Sequence, residues 1–278
     1  GKNLLNFASN DYLGLAGNPE IAQAMADGAM QWGAGSGASH LVSGHLAPHE
    51  ALEKEIAAFT SFPRALTFST GYLANLAVTP TLAGRGDAVF ADKLNHASLI
   101  DAMQLAKANG ADVQRYPHND VAALKRLLAA STARNKLIVT DAVFSMDGDL
   151  APLPLLFDLA ERYDAWLIID DAHGFGVLGP HGIGSLGHFN LPASKRILLM
   201  GTLGKAAGVG GAFVAGSPTA IDYLLQKGRG GYRIGHDRIF DHMMLDGLED
   251  AYQPGRSMGT FGEDCAAHYG FTRADQDA

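Results

Sequence analysis

The chain has 278 residues, 47% hydrophobic and 18% charged, with 21 basic against 29 acidic side chains and a formal net charge of −8. That length can hold one large domain or two small ones, and the apolar content excludes a disordered chain. The acidic balance argues against non-specific nucleic-acid binding, the single cysteine, Cys265, excludes a disulfide framework, and no apolar run reaches the roughly 18 residues of a membrane span. A soluble cytoplasmic protein is expected, because residues 1–6 do not have the pattern of a signal peptide. The 34 glycines show no collagen period and no linker run, so they suit turns and ligand loops.

In chain order, residues 48–59 place Leu52, Ile56 and Phe59 on one helical stripe. Residues 65–69 and 88–91 are short strand candidates. Asp120 can cap a helix over 121–130 with Leu124, Leu127 and Leu128 turned inward. A stronger strand candidate covers 137–144, broken only by Thr140 and Asp141, and residues 154–163 form a helix that opens on proline. The strongest strands are 165–170 and 196–200. Their near-continuous apolarity suits strands covered on both faces, so the fold class is α/β, a doubly wound, mostly parallel sheet with helices on both faces. No strong strand pattern follows Val214. Residues 229–278 hold five arginines, nine acids and no lysine, a break that puts a boundary near 228–231.

Three strand ends carry polar groups: Phe144-Ser145-Met146-Asp147-Gly148-Asp149, Asp170-Asp171-Ala172-His173-Gly174 and Gly201-Thr202-Leu203-Gly204-Lys205. Ligands bind beyond the carboxyl ends of strands in open α/β sheets, so one crevice would gather a hydroxyl, a carboxylate, an imidazole and an amine. Pyridoxal phosphate uses such a set: a lysine for its aldehyde, an acid for its ring nitrogen, donors for its phenolic oxygen and a phosphate cradle. Asp170 and Lys205 fit the first two needs. The turn Ser69-Thr70-Gly71-Tyr72, leading into a helix, fits the cradle. Each residue also has a plainer reading. Lys205 alone reads as a surface residue, Asp170-Asp171 as a loop cap or metal ligand, His173 as a core histidine, and His96 as either a ring-stacking group or a helix cap. Gly174 to Gly179 fits G-x-G-x-x-G, but Pro180 stops the dinucleotide helix, and Leu199 and Ala206 spoil a P-loop around Lys205. Pro48 interrupts His40, His45 and His49 and no further ligand cluster follows, so no metal is expected.

The motifs Asn10-Asp11-Tyr12-Leu13-Gly14-Leu15, Gly35-Ser36-Gly37-Ala38-Ser39-His40-Leu41-Val42-Ser43-Gly44, Phe144 to Asp149, Asp170 to Gly174 and Thr202 to Lys205 resemble, in order, those of the α-oxoamine synthases. These belong to the fold-type I pyridoxal-phosphate-dependent transferases, and the resemblance covers about 3–228. It implies Lys205 as the Schiff-base lysine and Asp170 as partner of the pyridine nitrogen. It further implies His173 and Ser145 on the phenolic oxygen, His96 over the ring, and Gly71, Tyr72 and Thr202 on the phosphate. The implied reaction is the decarboxylative joining of L-alanine to pimeloyl-CoA or pimeloyl carrier protein, with small-molecule substrates and a homodimer whose sites lie between subunits. The open alternatives are a relative that uses glycine or serine, an inactive cofactor-binding scaffold, and a CoA-binding fragment. Residues 229–278 resemble a thiolase segment without that family's catalytic motifs; no thiolase activity is expected, and Cys265 reads as a packed residue. The expected organisation is an N-terminal segment (1–40), a cofactor-binding large domain (41–228) and the thiolase-like tail (229–278), with a shortened N-terminal arm and a foreign tail in place of the C-terminal small domain.

Overall fold

The computed structural model describes residues 8–228; the chain divides into two units, Gly1–Gly231 and Tyr232–Ala278, and the expectations for 229–278 lie outside the described residues. In chain order the elements are α1 (Pro19–Trp32), α2 (Ala47–Phe59), β1 (Arg64–Phe68), α3 (Gly71–Leu82), β2 (Ala88–Asp92), α4 (Ala97–Ala108), β3 (Asp112–Tyr116), α5 (Val121–Ala130), β4 (Lys136–Asp141), α6 (Leu153–Arg162), β5 (Ala165–Asp170), α7 (Ser185–His188), β6 (Ile197–Thr202), β7 (Ala212–Gly216) and α8 (Pro218–Lys227). Local chemistry sets several starts. Asn18 Oδ1 accepts the Glu20 and Ile21 N–H groups ahead of α1, and Asp120 Oδ1 accepts the Ala123 N–H at 2.8 Å ahead of α5. No helix among the described residues is long and apolar enough to cross a membrane.

The strands form one sheet in the order β1-β7-β6-β5-β4-β2-β3, parallel throughout except for β7, which runs against both β1 and β6. Six strands therefore end on the same rim, where β7 begins. Successive residues feed opposite cores, as the period of two requires. Phe90, Ile138, Leu167, Ile169, Leu199 and Phe213 face one core with Ile56 of α2, Leu124 of α5 and Leu156 of α6. Val89, Leu137, Val139, Ile168, Leu198 and Val214 face the other with Val78 of α3, Leu99 of α4 and Leu224 of α8. Burying such a side chain is worth roughly 1.5–3 kcal/mol, so the sheet is held from both sides. At the β6–β7 pair, Gly201 lies opposite Phe213, and a Cβ on Gly201 would come within 2.4 Å of that ring.

The five strands read from the sequence correspond to β1, β2, β4, β5 and β6, with one end moved materially. The run 137–144 stops as a strand at Asp141. Beyond it the Ala142 N–H bonds to the Asp170 carbonyl at 2.7 Å, and Val143 pairs antiparallel with Leu150 around a tight turn.

Candidate active site

The shared rim builds a cavity of about 200 Å³ lined by Gly71, Tyr72, His96, Ser98, Asp141, Asp170, Ala172, His173, Met200, Thr202 and Lys205. Each expected site residue except Ser145 is there. Gly71 and Tyr72 open α3 after β1; His96 precedes α4 after β2; Asp170 ends β5, with His173 three residues on; Thr202 ends β6, and Lys205 lies in the connection to β7. Ser145 is exposed in the turn after β4 and is not among the lining residues. The cause is the early end of β4: the chain folds back at Ala142, so the polar segment 145–149 forms the tip of a hairpin.

Lys205 Nζ lies 2.7 Å from His173 Nε2, and His173 Nδ1 lies 2.6 Å from the Tyr12 hydroxyl. Burial pushes the Lys205 amine below its ordinary pKa, with the carboxylates of Asp170 and Asp141 pulling the other way. Burial, then the positive charges of Lys205 and His96, lowers His173 to about 4, so its imidazole is neutral at physiological pH. A neutral imidazole carries one N–H, so when one ring nitrogen donates to its neighbour the other nitrogen must accept from its own. The sequence reading named Tyr12 only as part of a motif; the fold brings it to His173.

Asp170 is 4% exposed, and its two oxygens accept from Asn75 Nδ2 (2.7 Å) and the Ala172 N–H (3.0 Å). Burial raises its pKa, so an uncompensated negative charge here is costly. Asp141 ends the neighbouring strand and accepts the His96 N–H at 2.7 Å; burial first, then the nearby Asp170, raises its pKa as well. Neither Asp141, Ser98 nor Asn75 was picked from the sequence. The signal for Asp141 was present: it is one of two polar residues breaking the apolar run, and a polar break there marked the strand's carboxyl end. His96 caps α4, with Nδ1 accepting the Ser98 N–H at 3.2 Å, and its side chain also lines the cavity.

At the opposite wall, Thr70 caps α3 by accepting the Leu73 N–H at 3.1 Å, which leaves the first amides of that helix at the rim. The Tyr72 hydroxyl donates to Asp101 at 2.5 Å, and Thr202 Oγ1 donates to the Gly211 carbonyl at 3.2 Å. The residues thus offer a depressed amine, a buried acid and a helix start around a space for a flat ring. Cavities of roughly 150 Å³ accept a benzene-sized ring. This donor set fits pyridoxal phosphate: an acid that lacks a cationic partner within hydrogen-bonding distance suits a protonated ring nitrogen, and a helix start suits a phosphate.

The chain is similar to 8-amino-7-oxononanoate synthase of Dechloromonas aromatica, 89% identical over 229 residues, covering 82% of this chain and 59% of that protein. Among solved structures, a serine palmitoyltransferase from S. paucimobilis bound to PLP and myriocin matches with a TM-score of 0.74 and 31% identity over 80% of this chain and 55% of that one. The 8-amino-7-oxononanoate synthase of Francisella tularensis matches with a TM-score of 0.68 and 33% identity over 81% of this chain and 62% of that one. The chain spans about three fifths of the length of the curated relatives it matches. The sheet and its helical layers are those of the fold-type I transferases. The profile of the family "Aminotransferase class I and II" matches residues 2–253, past the composition break at 228–231, and the chain belongs to that family.

Proposed function

We propose that this chain carries the cofactor-binding part of a pyridoxal-phosphate-dependent acyltransferase that joins L-alanine to pimeloyl-CoA or pimeloyl carrier protein. The products are 8-amino-7-oxononanoate, carbon dioxide and the free thiol of the carrier, a step of biotin synthesis. The observation that carries the reading is that Lys205 and Asp170 line one ring-sized cavity. Identity to the Dechloromonas synthase supports the choice of substrates.

The electron sink that makes an amino-acid α-carbon acidic comes from pyridoxal phosphate when it is bound. Lys205 would hold the cofactor aldehyde through its neutral amine, yield it to the substrate amine, and take the α-proton. Asp170 would keep the ring nitrogen protonated, and that proton would offset the cost of its own buried charge. His173 would bond the phenolic oxygen, with Tyr12 holding the far side of its imidazole. His96 would cover the ring face. The α3 amides at Gly71 and Tyr72, with Thr202, would receive the phosphate. Ser145 would serve the phenolic oxygen only after its turn moved.

A homodimer belongs to the same reading. Helix α1 has no buried residue, and Met25, Met30 and Trp32 on it are 63%, 90% and 44% exposed, a surface a second copy would cover. Sedimentation should report a dimer; a monomer at all concentrations would overturn that part. The cytoplasm, where amino acids and acyl thioesters are made and used, is the expected compartment. A serine-using condensation is the second reading, favoured by the similarity to serine palmitoyltransferase.

Adding pyridoxal phosphate to the purified chain should give a visible absorption band that Lys205→Ala abolishes; no band at any cofactor concentration overturns the proposal. Release of labelled carbon dioxide from alanine with pimeloyl-CoA, against serine with a long-chain acyl-CoA, decides between the two substrate pairs.

A further inference from the structure

Three histidines that the sequence reading set aside meet a ligand that it did not connect with them. Glu53 lies on α2, eight residues beyond His45, and the ligand atoms of His40, His45 and Glu53 all lie within 4.8 Å of one another. His45 Nε2 is 3.4 Å and His40 Nε2 4.0 Å from the Glu53 carboxylate, and the two imidazole centroids are 4.1 Å apart. The side chains of His40 and Glu53 are 15% and 14% exposed, so two of the three groups are largely withdrawn from water. Glu53 is also oriented. Its Oε1 accepts both the N–H and the hydroxyl of Thr67 on β1, each at 2.8 Å, which turns Oε2 towards His45. Lys54 pairs with Glu50 at 2.7 Å and Arg64 with Asp222. His49 flanks the group, but its Nδ1 accepts the Leu46 N–H at 3.1 Å.

We propose that His40, His45 and Glu53 form a binding site for one divalent transition-metal ion of the Zn²⁺ type, with water as a fourth ligand. Two imidazole nitrogens and one carboxylate oxygen form a donor set that suits zinc; magnesium and calcium favour oxygen alone. Ligands about 2.0–2.2 Å from zinc stand roughly 3.3–3.6 Å apart in a tetrahedron, so closing the observed triangle takes about 1 Å of side-chain movement. Exposed His45 can supply it. Thr67 takes the place of the outer partner that fixes a carboxylate ligand. A cavity of about 290 Å³ lined by His45, Glu53 and Arg64 opens onto the group and gives an ion a way in. Occupied, the site would clip the 40–45 stretch to α2 and, through Thr67, to β1.

The test uses the full chain, stripped of metal with a chelator and titrated with Zn²⁺ by calorimetry. One equivalent should bind, and the His40→Ala/His45→Ala double variant should bind at least ~100-fold more weakly while keeping the wild-type circular dichroism and metal-free melting temperature. Thr67→Val, which removes only an outer partner, should weaken binding about tenfold. X-ray absorption of the wild-type zinc complex should show imidazole and oxygen ligands, a readout that stands if the double variant does not fold. Absence of stoichiometric binding, unchanged binding in a folded double variant, or a zinc sphere containing sulfur or lacking imidazole would each overturn the proposal.

Discussion

Asp170 and Asp171 follow one another at the end of β5, and both are buried, at 4% and 1% exposure. Burial raises the pKa of each, Asp171 to about 7. Their surroundings differ. Asp171 is satisfied by the protein alone: Ser185 gives it both its N–H at 2.8 Å and its hydroxyl, and glycines 174 and 184 pack against the carboxylate. Asp170 faces the rim cavity, where Lys205 and His96 stand across open space. A perturbed acid is therefore a site candidate only when it also opens onto a cavity. One of these acids holds a loop, and the other faces open space.

The largest expected effect separates the two by activity. Asp170→Asn should lower kcat/KM for the proposed condensation by at least ~10² while leaving the cofactor-free melting temperature unchanged or higher. The sign follows from linkage: a carboxyl whose folded pKa is raised stabilises the fold fully only below its unfolded value, and that contribution is lost as pH rises through the folded one. A matching loss of stability in this variant would erase the contrast. Asp171→Ala should do the reverse, costing about 2–6 kcal/mol in urea denaturation because two buried Ser185 donors lose their acceptor at about 1–3 kcal/mol each. The cofactor band should persist in that variant. Gly184→Ala should cost about 1–3 kcal/mol by the same measurement, since its φ is +103° and a Cβ would lie 2.2 Å from Asp171 Oδ2. The smallest effect is at a third buried acid, Asp92. His118 bridges it to Asp149 at 3.0 and 2.8 Å, and both ring nitrogens can donate only when the imidazole is protonated. Burial alone would lower the His118 pKa, but the two carboxylates raise it above its usual 6.5. That clasp is fully present below 6.5 and is lost as pH rises through the raised value, so the wild-type denaturation midpoint should fall across that window and His118→Gln should flatten the fall.

The parts of the fold legible in the sequence are those in which burial wrote a continuous apolar run, as in β5 and β6. The edge strand β3, Asp-Val-Gln-Arg-Tyr, is half wet and carries no such run. Helix α1 buries nothing and so needed no apolar stripe, while α4 packs with Ala102 and Ala106, whose small side chains blunt the pattern. Helix α8 was missed despite a readable start, Ser217 as cap and Pro218 in the first turn. At the site, residues next to strand ends were legible because the rim lies where parallel strands finish. Asn75 and Tyr12 were not, since they meet Asp170 and His173 from the middle of a helix and from a turn near the start of the described residues, and only tertiary folding brings them there.

The reversed strand β7 bears on the lysine itself. Because Thr202 pairs with Ala212, the nine residues between them start and finish on the same rim. Lys205 thus rides on a short closed span anchored at two feet, and its amine is restrained from both directions along the backbone. A single proteolytic nick between Gly208 and Gly211 would spare every strand yet free one foot, and the Lys205 amine would lose its fixed position while the sheet stayed whole.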